Sequence, residues 1–184
     1  MILNPKLSNF YIQFPKGFFS KKITDKYIKY INKQDIPFDN VEQYINHTIQ
    51  SINIPGMNID TVEQIRQFGK KITYKSSTPV QDLFNKDFNI TFRLVDGFIN
   101  YFIILDSILN FLNFANDELF TTDIPVRILD NEGNVILSVL FKDVLITGIS
   151  SLDLNYTNNN NMMSENFSLS FRYNYINMKL EIDI

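Results

Sequence analysis

The chain has 184 residues, enough for one domain with a substantial core, and its 45% apolar share is that of an ordinary globular protein. The net charge of −3 supplies no basic surface of the kind that phosphate backbones attract, which argues against tight nucleic-acid binding. The lack of cysteine excludes disulfides, thiolate metal sites and cysteine nucleophiles. The 17 Phe and 9 Tyr residues favour β structure.

The N-terminal residues predict a strand followed by a short helix. Residues 7–14, LSNFYIQF, read as a strand that Pro15 and Gly17 end. A weak helical segment follows at residues 23–32, where apolar side chains recur at four-residue spacing.

A second, clearer helix is expected after Asp39, which we predict to cap it together with Glu42 in a capping-box arrangement. Its apolar stripe runs over residues 41–52, and the turn at residues 54–57, Ile-Pro-Gly-Met, ends it. Residues 62–75 carry both a helical and an alternating pattern, and the alternation favours a strand with an extended loop.

The middle of the chain predicts a strand and the strongest amphipathic helix. Residues 87–95, DFNITFRLV, alternate cleanly, and Asp96 then stands where a helix cap is expected. The helix packs on the sheet through a stripe of Phe98, Tyr101, Phe102, Leu105, Ile108, Leu109 and Leu112. The apolar run at residues 98–114 is short for a bilayer and is interrupted by polar residues, so no membrane insertion is expected.

The last third reads as strands. Residues 124–129 and 134–141 flank the turn residues 130–133 and predict a hairpin. Short strands are expected at residues 142–147 and 152–156, around Gly148.

A polar loop at residues 157–166 precedes a long alternating strand at residues 165–184. The order of elements predicts an α+β, mainly β fold: an antiparallel β-sandwich or rolled barrel with flanking helices. No repeat or linker divides the chain, so residues 1–184 are expected to form a single domain.

No residue pattern nominates a reaction. His47 is the only histidine, and no Ser/Asp pattern surrounds it, so a catalytic role is not expected. Asp130, Glu132 and Asp143 read as turn and edge residues rather than metal ligands, and no glycine-rich phosphate loop is present. Two distant carboxylates that converge in space are neither nominated nor excluded. We therefore expect no enzyme activity, no cofactor and no metal.

The order of these features resembles the tail tube proteins of contractile-tailed bacteriophages of the T-even type. The resemblance rests on the turn at residues 52–56 and on "DFNITFRLVDGFINYFIILDSI", "IPVRILDNEGNVILSVLFKDVLITGISSLDLNY" and "FSLSFRYNYINMKL". It covers most of residues 50–180 and is strongest at 85–176. Residues 1–50 fit less well and are interpreted as an N-terminal strand and helix extension.

The resemblance implies hexameric rings that stack into a tube, with strands of each subunit contributing to an inner β-barrel. Expected partners are further copies of the chain, a contractile sheath, and baseplate or tail terminator proteins, with DNA only as non-specific cargo in transit. The implied location is the phage tail, after synthesis in the host cytoplasm. A tube-initiating baseplate protein and the inner tube of a phage-like injection system are alternatives with the same fold. A monomeric β-barrel that binds a small apolar ligand is an alternative from another class.

Two sets of residues follow as candidate sites. A channel wall that lets DNA pass needs a polar face with few cations, because Lys and Arg would hold phosphates. The candidate channel-lining residues are Asn89, Thr91, Asp153, Asn155, Ser168 and Ser170. Arg93 and Arg172 do not fit this requirement, and a face that simply meets bulk water has the same pattern. The candidate ring–ring contact residues are Asn159, Asn160, Met162 and Met163, in a loop that a disordered surface segment would also explain.

Overall fold

The structure is a computed structural model, and it describes residues 9–14, 18–114, 122–152 and 166–181. The helices of this part of the chain are α1 (Lys21–Lys33), α2 (Val41–His47) and α3 (Ile99–Phe114). Its strands are β1 (Phe10–Ile12), β2 (Ile49–Ile52), β3 (Thr61–Ile65), β4 (Lys71–Lys75), β5 (Asp87–Arg93), β6 (Thr122–Leu129), β7 (Val135–Ile149), β8 (Asn166–Arg172) and β9 (Tyr175–Leu180).

Two antiparallel sheets share the long strand β7. Sheet 1 has the strand order β1-β6-β7-β9, and sheet 2 has the order β7-β8-β5-β2. The first half of β7 pairs with β9, from Leu137 to Lys142, and its second half pairs with β8, from Leu145 to Ile149. The fold is therefore mainly β and antiparallel with flanking helices, which confirms the predicted class.

Aromatic side chains fill the space between the two sheets. The Phe88 ring of sheet 2 stacks on Phe141 of sheet 1 with 4.3 Å between centroids, and on Phe171 at 5.0 Å. The period-2 alternation of β5 and β8 puts one phenylalanine after another on this side. Burying each such ring contributes roughly 1.5–3 kcal/mol, so the core dominates the stability of the sandwich.

The helices cover the apolar side of sheet 2. Tyr101 of α3 packs edge-on against Phe167 of β8, with 5.2 Å between ring centroids. Helix α1 lies on α3, and its Tyr27 hydroxyl donates a hydrogen bond to Asp106 at 2.6 Å. Burial and the neighbouring carboxylate raise the pKa of Tyr27 to about 12. The predicted first helix is confirmed, and the Ser20 side chain caps it.

The second helix is shorter than predicted, and Asp39 does not cap it. Asn40 is the cap residue, and its side-chain oxygen accepts a hydrogen bond from the Gln43 backbone N–H at 2.7 Å. The helix ends at His47, and Ile49 and Ile52 lie in β2 instead of on the helical stripe. Pairing with β5 outweighs the helical spacing here, because β-branched residues fit a strand at least as well as a helix.

Asp96 does not cap α3 either. It lies in a 3₁₀ turn (Asp96–Phe98) with φ of +52°, and its carboxylate accepts a hydrogen bond from the Tyr44 hydroxyl at 3.0 Å. The predicted stripe of α3 is also partly wrong, because Phe102 and Leu109 are almost half exposed while Ile103 and Ile104 are buried. In the residues that the structure covers, no helix has the length and apolar character that a membrane crossing requires.

The predicted strands near the C-terminus are joined or divided differently. Strand β7 runs without a break through residues 142–147, and Leu152 lies outside any strand. Residues 153–156 of the other short strand lie outside the described residues. The predicted strand at 165–184 is two strands separated by Tyr173 and Asn174, where the chain passes from sheet 2 to sheet 1 along the edge of β7.

Four further expectations concern single segments of the chain. Of residues 7–14, only Phe10–Ile12 form a strand, and residues 7 and 8 are not described. The ambiguous stretch at 62–75 is a two-stranded hairpin, so the strand interpretation is confirmed. The predicted hairpin over residues 124–141 is confirmed as β6 and β7. The polar loop falls outside the described residues, apart from Asn166 at the start of β8.

Candidate assembly surfaces

Sheet 2 has one apolar side and one polar side. On β5 and β8, the register pairs Asn89 with Ser170 and Thr91 with Ser168, and the Thr91 and Ser168 hydroxyl oxygens are 3.4 Å apart. These four side chains project away from the core, because the residues between them on each strand are fully buried. The structure therefore brings four of the six candidate channel-lining residues together on one surface, which we call the polar face.

The polar face also includes a residue that sequence reasoning missed. Ser51 of β2 pairs with Thr91, so its side chain lies on the same side of the sheet. It was missed because residues 41–52 were interpreted as one helix. Two further candidates, Asp153 and Asn155, lie outside the described residues.

The two arginines that did not fit a channel wall lie at the ends of β5 and β8. Arg172 pairs in register with Asp87, and its Nε is 4.0 Å from an Asp87 oxygen, which offsets its charge. Arg93 pairs with Asn166 at the other end of the two strands. The centre of the polar face is therefore lined by hydroxyl and amide groups.

The outward side of sheet 1 differs in charge. Arg127 of β6 and Lys179 of β9 each pair with Ser138 of β7, one from either side, on the surface that faces away from the core. Lys142 is exposed on the same strand β7, and Glu181 contacts Lys179 at 2.7 Å and offsets its charge. The two sheets thus present chemically different outer surfaces, and the less basic one belongs to sheet 2.

Among the described strands, neither outer edge of sheet 2 has a partner. No described strand pairs with the far side of β2, or with the far side of β7 from Leu145 to Ile149. Because the sheet contains four strands in strict antiparallel alternation, these two edges run in opposite directions. Copies related by rotation around a ring can then join edge to edge with antiparallel hydrogen bonds.

Strands β3 and β4 form a separate hairpin, residues 61–75, which we call the arm. They pair only with each other among the described strands, and nearly every residue of the arm is exposed. Phe68 at its tip is 99% exposed and has φ of +68°, a left-handed conformation that is uncommon outside glycine. An isolated two-stranded hairpin is at best marginally stable in water, so this geometry favours a docking partner.

The side chains of the arm combine apolar and basic groups. Val62 and Tyr74 face each other across the two strands, and both are exposed. The basic residues outnumber the single acidic one, which gives the arm a formal charge of +3 and leaves −6 for the rest of the chain; the charged residues are Glu63, Arg66, Lys70, Lys71 and Lys75. The arm is thus both apolar and opposite in charge to the remainder of the molecule.

The candidate ring–ring residues Asn159, Asn160, Met162 and Met163 lie outside the described residues. Their role stays a prediction. The arm is a second candidate for the same contact, and the apolar spacing of Val62, Ile65 and Phe68 was its only signal in the sequence.

The only histidine of the chain lies beside an aromatic ring at the surface. The His47 ring packs against Phe38 with 5.1 Å between centroids, beside a surface groove that Tyr44, Arg93 and Asp96 also line. The described residues contain no group of three or more His, Asp or Glu side chains that could hold a metal ion.

Asp130 fills the structural role that its turn requires. Its carboxylate accepts hydrogen bonds from the Asn134 side chain at 3.0 Å and from the backbone N–H groups of Glu132 and Asn134 at 2.8 Å. These bonds, that of the Asn134 side chain foremost, hold the pKa of Asp130 below its ordinary value. This carboxylate therefore organises the β6–β7 turn.

No protein-family model matches the chain, and no curated protein matches its sequence. Solved structures do match it. A chain of the anti-feeding prophage cap, the tube terminating cap, has a TM-score of 0.58 at 10% identity, over 98% of this chain and 93% of that one. A chain of the sheath-tube complex of the extracellular contractile injection system PVC, in its extended state, has a TM-score of 0.56 at 9% identity, over 96% and 92%. A chain of the six-fold symmetrised anti-feeding prophage baseplate has a TM-score of 0.55 at 10% identity, over 97% of each.

At this level of identity the likeness defines the fold. The chain shares the fold of these chains from contractile injection assemblies over almost its whole length. The predicted resemblance is thereby confirmed at the level of the fold.

Proposed function

We propose that this protein is a non-enzymatic tube subunit of a contractile, phage-like tail, and that it assembles into hexameric rings which stack around a channel. The proposal rests on three features of sheet 2. It has a polar face, its apolar side is covered by the rest of the subunit, and its two edges lack a described partner strand and run in opposite directions. Joining β2 of one copy to the second half of β7 in the next satisfies both edges and closes a continuous barrel.

The polar face then lines the channel. Asn89, Thr91, Ser168, Ser170 and Ser51 offer hydroxyl and amide groups that do not hold phosphates electrostatically. Sheet 1 is the less suitable wall for DNA in transit, because Arg127 and Lys142 would attract it in addition to Lys179, whose charge Glu181 offsets at 2.7 Å. Asp153 and Asn155 remain proposed members of the lining.

Stacking is assigned to the arm together with the loop at residues 157–166. The arm carries a formal charge of +3 and the rest of the chain −6, so the arm of one subunit is attracted to the subunit in the next ring. Burying Phe68 there would also stabilise a hairpin that is only marginally stable alone. The proposed further partners are a sheath around the tube and the baseplate or terminator at its ends, with DNA as cargo. The proposed location is the phage tail, after synthesis in the host cytoplasm.

A tube-initiating subunit of a baseplate, or the inner tube of a phage-like injection system, is a second candidate of the same class. The tube-initiating subunit is supported by the structural match to a chain from a baseplate assembly. A monomeric ligand-binding barrel is less consistent with the structure, because stacked Phe88, Phe141 and Phe171 rings occupy the space between the sheets.

Cysteine cross-linking tests the proposed joint directly, since the chain has no cysteine of its own. Within one subunit, β2 and β7 are separated by two strands, so their Cα atoms lie about 14 Å apart, beyond the reach of a disulfide. Variants that combine Ser51→Cys with Leu145→Cys or Thr147→Cys can therefore form disulfides only between copies.

We expect at least one of these double variants to give a ladder on a non-reducing gel that ends at the covalent ring. Each single-cysteine variant serves as a control, because it can reach only a dimer. The proposal is wrong if both double variants stop at dimers under conditions in which the protein is assembled.

A further inference from the structure

Helix α1 carries a stripe of lysines on its exposed side. Lys22, Lys26, Lys29 and Lys33 follow a four-three-four spacing and all are exposed. At 3.6 residues per turn they fall within about 60° of the helix circumference and extend over about 16 Å. We call these four residues the lysine stripe.

The rest of α1 fixes the direction of the stripe. Ile23, Tyr27 and Ile31 are buried and attach the opposite side of the helix to the core. Lys26 contacts Asp106 of α3, which keeps this lysine in place and its charge partly offset. Because α1 and α3 lie on the apolar side of sheet 2, the stripe is on the far side of the subunit from the polar face.

The charge of α1 is unusual for this chain. Five lysines and one aspartate give the helix a formal charge of +4, so the remaining residues carry −7. Tyr30, which is 51% exposed, lies beside the stripe and adds an aromatic surface to it. A concentrated basic surface on an otherwise acidic molecule is complementary to a ligand that is itself acidic.

We infer that the lysine stripe binds an acidic segment of a second protein. The regular helical spacing matches carboxylates repeated along a partner helix, and Tyr30 offers an apolar contact that a phosphate backbone does not use. At low salt, the formal charge of −7 outside α1 opposes a long DNA duplex or an anionic membrane that extends past the stripe, whereas a short acidic segment contacts only the stripe. In the rings of the proposed function the stripe would point outward, but the binding itself does not depend on ring formation.

The probe is an alanine-rich helical peptide with glutamates at four-three-four spacing. Its binding to the 184-residue protein is measured by fluorescence anisotropy at low salt. The variant Lys29→Glu/Lys33→Glu leaves the Lys26–Asp106 contact intact and should weaken binding by about ten-fold or more, because two attractions become repulsions. The control Arg127→Glu/Lys142→Glu has the same change in net charge at exposed positions of sheet 1, away from the stripe, and should bind like the unaltered protein.

Two competitors complete the experiment: a short DNA duplex and vesicles that contain phosphatidylserine. The inference is supported if the peptide binds more tightly than either and only the stripe variant loses it. It is overturned if DNA or vesicles bind as tightly as the peptide through the same lysines, or if the stripe variant and its control bind alike. Failure of rings to form in the cross-linking test would leave this result unaffected, so the two proposals are tested separately.

Discussion

The proposed ring joint can be weakened at a single backbone N–H group. Asn53 donates its backbone N–H to the Asn89 carbonyl, so its neighbour Ile52 directs its own N–H toward the open edge of β2. Proline at position 52 would remove that donor while keeping the extended backbone of the strand, since edge positions tolerate proline when the N–H points outward. Ile52→Pro should therefore weaken the ring by more than the loss of the Ile52 side chain's packing on the core alone would.

The expected size of the effect follows from the length of the edges. Four residues of β2 opposite five of β7 can form about four hydrogen bonds, each contributing roughly 0.5–1.5 kcal/mol net. Losing one bond and leaving its carbonyl partner unpaired costs about 2 kcal/mol at each joint. That corresponds to about 30-fold in the association constant of one joint, and to roughly 12 kcal/mol over a hexameric ring.

Analytical ultracentrifugation over a concentration series measures this loss, and thermal unfolding of the dissociated protein checks the subunit. Ile52→Ala is the matched control, because it removes as much buried side chain but keeps the N–H group. The reasoning is refuted if the alanine variant dissociates as readily as the proline variant, since side-chain packing rather than the edge hydrogen bond would then explain the change.

Three other expectations concern the arm, the helices and the β6–β7 turn. Phe68→Ser should leave rings intact and shorten or abolish their stacks in electron micrographs, whereas equal stacking would assign ring contacts to another surface. Tyr27→Phe removes the hydrogen bond to Asp106 and should lower the free energy of unfolding by about 1.5–3 kcal/mol in denaturant titrations, and no loss would mean that the pair contributes nothing. The pKa of Asp130 is lower in the folded protein than in the unfolded chain, where it is about 4. The ionised carboxylate therefore stabilises the folded protein above about pH 4, and this contribution is lost as the pH falls through the pKa of the folded state. Asp130→Asn should therefore flatten the acid limb of stability against pH, and an unchanged limb would contradict this role.

The parts of the fold that depend on local periodicity could be predicted from the sequence. The alternation of residues 87–95 and the turn residues 130–133 identified β5 and the β6–β7 hairpin, because period-2 burial and turn chemistry are properties of the strands themselves. Strand β2 could not be predicted in the same way. Its isoleucines also fit a helical stripe, and only pairing with β5 decides between the two.

The candidate surfaces, too, could be predicted only where they depend on local periodicity. Alternation was sufficient to select Asn89, Thr91, Ser168 and Ser170 as one polar surface. Which strands are edges depends on the order of strands in the sheet, and that order is set by contacts between residues far apart in the chain. The open edges of sheet 2 and the separate arm were therefore visible only in the folded structure.

Negative-stain electron microscopy of the purified protein, with its mass measured in parallel, shows whether sheet 2 joins copies of this protein into a ring. We expect closed rings with an open centre, alone or in stacks, whose wall is formed by sheet 2 of successive copies. A uniform particle of 21.6 kDa at every concentration, with the edges of β2 and β7 already protected from hydrogen exchange, would contradict it.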